Sequence, residues 1–229
     1  MVVEDAPPLP AAAVFDWDGT LVDTLGMIYR ANVAALAPHG ITMTRAWFRT
    51  GYTPDWRRSY RELGVPEELW DDVSARWTAA MSGMRPRAMP WARGGLRRLR
   101  RHGIRVGLVT ASTRGVVVPN LARLNVDGVF DVAVYADEVE CGKPHPEALL
   151  KALAELGVAA ADSVYIGDTT VDLEMARAAG APFVAVGTTT SADDFRAAGV
   201  NRVWSGVGAW VDELLGAGAA TRAAPRRHR

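Results

Sequence analysis

From about Pro90 onward, short β-branched runs alternate with helix-like patterns, and no other feature limits the possible folds as tightly. The runs RVGLVT (Arg105–Thr110), VAVY (Val132–Tyr135), SVYIG (Ser163–Gly167), PFVAVG (Pro182–Gly187) and RVW (Arg202–Trp204) read as buried strands. The stretches between them carry helical patterns: Gly94–His102, Val116–Leu124, Pro146–Leu156, Leu173–Ala179, Asp193–Ala198 and Ala209–Leu215. Several stop at a glycine, as at Gly103, Gly157, Gly180 and Gly199, the residue type favoured just past a helix end. Strict alternation of this kind predicts an α/β fold, a parallel sheet covered by helices on both faces.

The segment from Leu25 to Met89 breaks the pattern, because nothing in it reads as a strand. Leu25, Ile28, Tyr29, Val33 and Leu36 share one helical face, and Trp70, Val73, Trp77, Met81 and Met84 share another. The segment reads as an all-helical insert between the first strand and the rest of the sheet. It holds Trp47, Trp56, Trp70 and Trp77, and the helical spacing of the last two assigns them to its core. The expected division is therefore an α/β core over 11–24 and 90–216 and a helical cap over 25–89. Prolines at 7, 8 and 10 and the tail GAGAATRAAPRRHR offer few apolar anchors, so 1–10 and 217–229 are read as flexible termini.

Acidic and basic residues balance at 26 each in the 229-residue chain, which gives no reason to expect nucleic acid or an anionic membrane as partner. The Arg97–Arg101 cluster lacks interleaved aromatics and reads as a solvated helix face. The single cysteine, Cys141, excludes an internal disulfide and reads as a packing residue. No apolar run is long enough to span a bilayer, and the N-terminus lacks a basic region followed by an apolar one. These features predict a cytoplasmic protein, monomer or homodimer, acting on a small molecule.

The stretch VFDWDGTLVDT (Val14–Thr24) places three carboxylates close together after an apolar run. Asp-Gly between apolar segments is a strong hairpin signal, and on that reading Asp18 and Gly19 only turn the chain. It does not account for Asp16, whose side chain projects to the same side as that of Asp18 in extended backbone. Two carboxylates there repel unless a cation or a proton intervenes. Position favours a site: in open parallel sheets reactive groups gather at the carboxyl ends of strands. Asp16 and Asp18 follow the first strand, Thr110 follows GLV, Asp168 follows VYIG, and Lys143 precedes a helix.

These motifs, FDWDGTLVDT, VTAS (Val109–Ser112), GKPHP (Gly142–Pro146) and IGDTTVDLEMARAAG (Ile166–Gly180), occur in an order similar to that of the haloacid dehalogenase-like hydrolases. The chain most resembles the phosphoglycolate phosphatase-like branch, over roughly Ala12 to Leu215. The resemblance implies a Rossmann-like core with an inserted helical cap. It also implies Mg²⁺ held by Asp16, by the backbone carbonyl of Asp18 and by Asp168, with Asp172 in a supporting role or as an ordinary acid at a helix start. Asp16 would attack phosphorus and Asp18 would act as acid and base. Thr110, the Ala111 amide and Lys143, one of only two lysines, would hold phosphoryl oxygens. His145 reads as structural. Relatives often carry Asn where Ala111 stands and a smaller aliphatic where Trp17 stands; Trp17 is expected to point away from the site. Asp23 reads as a cap or hinge residue.

The implied activity is hydrolysis of a small phosphorylated metabolite, phosphoglycolate-like first, through an aspartyl phosphate. Arg49, Thr50, Gly51 and Tyr52, with Arg57 and Trp56 nearby, are the expected specificity loop of a lid. Asp18 argues against a dehalogenase, the insert has no lysine for a Schiff base, and Leu25–Asn32 lacks the histidine that sugar-phosphate mutases often carry soon after the third Asp. A mutase or an inorganic pyrophosphatase of the same superfamily are the alternatives. A non-catalytic phospho-acceptor or binding protein is the alternative from another class.

Overall fold

The computed structural model describes residues 8–222. Six strands form one parallel sheet: β1 (Ala12–Phe15), β4 (Arg105–Val109), β5 (Val132–Val134), β6 (Ser163–Gly167), β7 (Phe183–Val186) and β8 (Val203–Trp204). Their order is β5-β4-β1-β6-β7-β8, so the first strand is central and its neighbours come from far along the chain. Two further strands, β2 (Val22–Asp23) and β3 (Arg87–Ala88), pair antiparallel on their own. Helices α5 (Ala92–Arg101), α6 (Arg114–Arg123), α7 (Glu147–Leu156), α8 (Thr170–Ala179), α9 (Ala192–Ala197) and α10 (Val207–Arg222) follow strands of the sheet or of the β2–β3 ribbon. The remaining four, α1 (Leu25–Leu36), α2 (Arg45–Gly51), α3 (Trp56–Glu62) and α4 (Trp70–Ser82), lie between β2 and β3.

Alternate side chains of β1 enter opposite cores, as the strand period of two requires. Ala12 and Val14 pack with Leu149 and Leu153 of α7 and Met175 of α8. Ala13 and Phe15 pack with Leu96 and Leu99 of α5, Leu121 of α6 and Val211 of α10. Every β1 residue is fully buried, which is why these strands read as continuous apolar runs. Trp17 continues the second set and is 2% exposed in that core.

The interval between β2 and β3 has its own small core, with Leu36, Met43, Tyr60 and Val73 buried and Trp70 and Trp77 packed against them. Thr44 and Asp55 start α2 and α3 by accepting N–H groups from Trp47 and Arg58. A second cluster, Ile28, Ala31 and Met81 with Val116 of α6, joins these helices to the sheet domain.

Five features differ from the sequence reading. The buried face of α1 is Ile28, Ala31, Asn32, Ala35 and Leu36, whereas Val33 is exposed, because small residues let α4 approach on that side. The β2–β3 ribbon was not foreseen: two-residue strands are too short to show alternation. Helix α10 continues past Gly216 to Arg222, as the alanines at 217, 219 and 220 favour. At the other end Leu9 packs against the core and the Ala11 amide donates to Asp162 O; 1–7 and 223–229 lie outside the described residues. Cys141 is exposed rather than packed.

Candidate active site

The carboxyl edge of the sheet gathers the polar residues. The Asp16 amide donates to Ile166 O (2.9 Å), extending the β1–β6 pairing by one residue. The next residues fold back, with the Leu21 and Val22 amides donating to Trp17 O and the Gly19 amide to Val22 O. Gly19 has φ +81°. A Cβ there would lie 2.1 Å from Asp168 Oδ2, so only glycine allows this turn against Asp168. The chain does turn at Asp-Gly, but its flanks form no hairpin.

Lys143 is buried, and its ammonium donates to Asp16 Oδ1 (2.5 Å) and Asp172 Oδ1 (2.8 Å). It lies 5.3 Å from the centre of the Tyr165 ring, and the Tyr165 hydroxyl reaches Asp172 Oδ1 at 3.1 Å. Asp172 occupies the first turn of α8, where its Oδ2 accepts the Thr169 hydroxyl (2.6 Å) and amide (3.1 Å). The Asp172 amide returns a hydrogen bond to Thr169 Oγ1, completing a capping box. Gly167 permits the approach, since a Cβ there would lie 2.6 Å from that of Asp172. Asp172 thus orients Lys143 with a fully engaged carboxylate. The loop carrying Lys143 is fastened by Glu147, whose oxygens accept the Glu140 and Cys141 amides at 2.9 Å.

Asp168 is wholly buried, accepting the Thr20 hydroxyl at 3.0 Å and the Thr189 hydroxyl on its other oxygen. Asp18 accepts the Ser112 hydroxyl on Oδ2 at 2.7 Å, and the Ser112 amide donates to Thr110 Oγ1 at 3.0 Å. Asp16, Asp18 and Ala111 line a cleft beneath α1, α3 and α4, and Thr110, Ala111 and Lys143 line an open groove on the other side of Trp56. His145 is on the groove rim, with Nδ1 accepting the Glu147 amide.

Of the expected specificity residues, Tyr52 lines the cleft. Gly51 sits tight against the Trp47 ring, and Arg49 is exposed. Arg57 stacks on Trp56 and lines the groove, and the side chain of Thr50 lies outside the described residues. Sequence reading missed Ser112, Tyr165 and Thr189. Thr189 follows β7, and the strand-end rule applied to that strand would have found it.

Electrostatics define what the site can hold. Burial pushes the Asp16 carboxyl well up; Lys143 opposes this, while Asp172, Asp168 and Asp18 add to it. Burial, then the Asp172 charge, pushes Asp168 up to about 7, against the hydroxyls of Thr189 and Thr20. Asp18 is also raised by burial, against its bond from Ser112. Burial alone would lower the Lys143 ammonium, but Asp16 and Asp172 together raise it, so it stays charged. Four carboxylates facing one ammonium leave an excess of negative charge. Carboxylate oxygens of Asp16, Asp168 and Asp172 lie within 4.8 Å of one another. An oxygen-only, anionic donor set of this kind fits a hard divalent cation.

A parallel α/β sheet with carboxylates at its central strand ends, one buried lysine and a helical insert over them describes a hydrolase of phosphate-handling type. The chain belongs to the haloacid dehalogenase-like hydrolases, whose family model matches residues 13–186. It is 36% identical to the plasmid phosphoglycolate phosphatase of Cupriavidus necator, over 76% of this chain and 80% of that one. Among solved structures, a haloacid dehalogenase-like hydrolase of Bacteroides fragilis superposes with TM-score 0.80 at 28% identity, covering 87% of this chain and 98% of that one. CbbY of Rhodobacter sphaeroides, solved in complex with phosphate, has TM-score 0.71 at 25% identity, covering 87% and 96%. The protein is therefore an enzyme of the phosphoglycolate phosphatase-like branch. Among the described residues, no helix is long and apolar enough to cross a membrane.

Proposed function

We propose that the protein hydrolyses a small phosphate monoester with Mg²⁺ through an aspartyl phosphate on Asp16. The observation that carries this reading is the chain Asp16–Lys143–Asp172, with Asp168 beside it and Asp18 lining the same cleft as Asp16. Asp16, the backbone carbonyl of Asp18 and Asp168 would hold the ion. When bound it would neutralise charge on the phosphoryl group.

Lys143 engages Asp16 Oδ1, leaving Oδ2 to attack phosphorus as the ester P–O bond breaks. Asp18, kept up by burial, donates its proton to the departing alkoxide. Water then attacks the aspartyl phosphate and gives its proton to Asp18, releasing inorganic phosphate and restoring Asp16. Thr110, the Ala111 amide and Lys143 hold the phosphoryl oxygens, and Asp172 positions Lys143. The helices between β2 and β3 act as a lid, with Asp23 at its hinge.

Phosphoglycolate is the first substrate to assay, since the relative named above is a phosphoglycolate phosphatase. The test is phosphate release from metabolite phosphates, including phosphoglycolate, sugar phosphates, nucleotides and pyrophosphate, with and without Mg²⁺. Asp16→Asn should lower turnover by at least about a thousandfold, as loss of a nucleophile does. Metal-independent release, or release unaffected by Asp16→Asn, would rule the mechanism out.

A further inference from the structure

We infer that the alcohol portion of the substrate is uncharged and largely apolar, at most about the size of a single ring. This deepens the phosphatase reading and rests on it, because it concerns the group attached to the phosphate held at Asp16. The cleft over Asp16 and Asp18 has a volume of about 150 Å³. Its walls are Leu25 and Ile28 of α1, Trp56 and Tyr60 of α3, Trp77 of α4, and Tyr52 beside them. An apolar cavity of about 150 Å³ takes up a benzene molecule, and because the phosphoryl group shares this cleft at Asp16, one ring is the upper limit for the fragment.

Charge decides the class. Among the described residues lining this cleft there is no arginine, lysine or histidine, and the ionisable acids are Asp16 and Asp18. The polar wall residues are neutral, and two are engaged locally: Asn32 donates to Ile28 O and Ser59 to Thr53 O. Lys143 is bound to Asp16 and Asp172. Arg57 stacks on Trp56 and lines the neighbouring groove with Arg61. A carboxylate on the leaving group would lose water and find no cationic side chain among the described residues of the cleft wall, an arrangement that burial penalises strongly. An apolar group would gain the transfer free energy of the area it buries against the aromatic wall.

The test compares benzyl phosphate with 2-phosphoglycolate, both esters of primary alcohols, in the Mg²⁺-loaded protein. Benzyl phosphate should have the higher kcat/KM by at least tenfold, and Trp77→Ala should shrink that ratio at least fivefold. Thr78→Lys, which puts a cation into the cleft wall, should move the ratio toward phosphoglycolate. Equal or better use of phosphoglycolate by the unmodified protein would overturn the inference, as would a tenfold loss of that activity in Arg57→Ala, which would place the leaving group in the groove. Calorimetric titration of Asp16→Asn separates the two readings without chemistry, and benzylphosphonate should bind at least tenfold tighter than phosphonoacetate. Tighter benzylphosphonate binding without hydrolysis of either ester would sink the phosphatase reading and keep the cleft assignment. Asp16-dependent hydrolysis favouring phosphoglycolate would do the reverse.

Discussion

At the scale of single residues, the site turns on small polar neighbours that no charge count reveals. Ser112 is one: its hydroxyl bonds the Asp18 carboxylate, which favours the ionised form and holds the pKa down. Ser112→Ala should therefore raise the Asp18 pKa, moving the alkaline limb of the kcat/KM profile to higher pH; an unmoved limb would dissociate Ser112 from the acid/base step. Gly19→Ala must place a methyl 2.1 Å from Asp168 Oδ2 with the backbone at φ +81°. It should cost about 1–3 kcal/mol in a urea melt and most of the activity, whereas near-normal turnover would show that the turn can shift. Asp16, Asp18, Thr110, Lys143 and Asp168 were legible because strand-end position and motif order single them out. Ser112, Tyr165 and Thr189 were not, because hydroxyls are common everywhere and only the fold shows which ones meet a carboxylate.

At the scale of elements, the start of α8 links stability to the site. Thr169 caps the helix and holds the Asp172 carboxylate that orients Lys143. Thr169→Val should lower stability by about 1 kcal/mol, the usual worth of such a cap, and should reduce kcat by about tenfold; a stability loss with kcat intact would make the cap purely structural. The sheet was legible because each of its strands from β4 onward is an apolar run between helix-like patterns. The β2–β3 ribbon was not, since Val22–Asp23 pairing with Arg87–Ala88 leaves too few residues for any period. The face of α1 was misjudged at Val33 because hydropathy favours valine over Ala31 and Ala35, whereas packing against α4 favours the smaller side chains.

At the scale of the whole molecule, folding confines more carboxylates than Lys143 can neutralise. Asp168 has a folded pKa of about 7 against about 3.9 in an unfolded chain. Between those values the folded protein holds a proton that the unfolded chain has released, so stability falls as pH rises and the cost is complete above about 7. On the proposed reading, a divalent cation held by Asp168 would take the place of that proton. The melting temperature in EDTA should therefore drop from pH 5 to pH 8, and Mg²⁺ should raise it more at pH 8 than at pH 5; equal Mg²⁺ shifts would separate the ion from Asp168. The strand order has a different consequence, for the nascent chain. Ala12 pairs with Arg105 and with Ser163, so β1 is synthesised about 90 residues before its first partner and about 150 before its second. At ribosomal speeds of about 5–20 residues per second, the strand that leads into Asp16 waits roughly 5–20 s for one neighbour and longer for the other. During that interval it is an apolar segment with unpaired edges, the kind that seeks other chains. A polypeptide cut short before Ser163 keeps one of those edges open, so aggregation rather than a dormant partial enzyme is the expected fate of incomplete translation products.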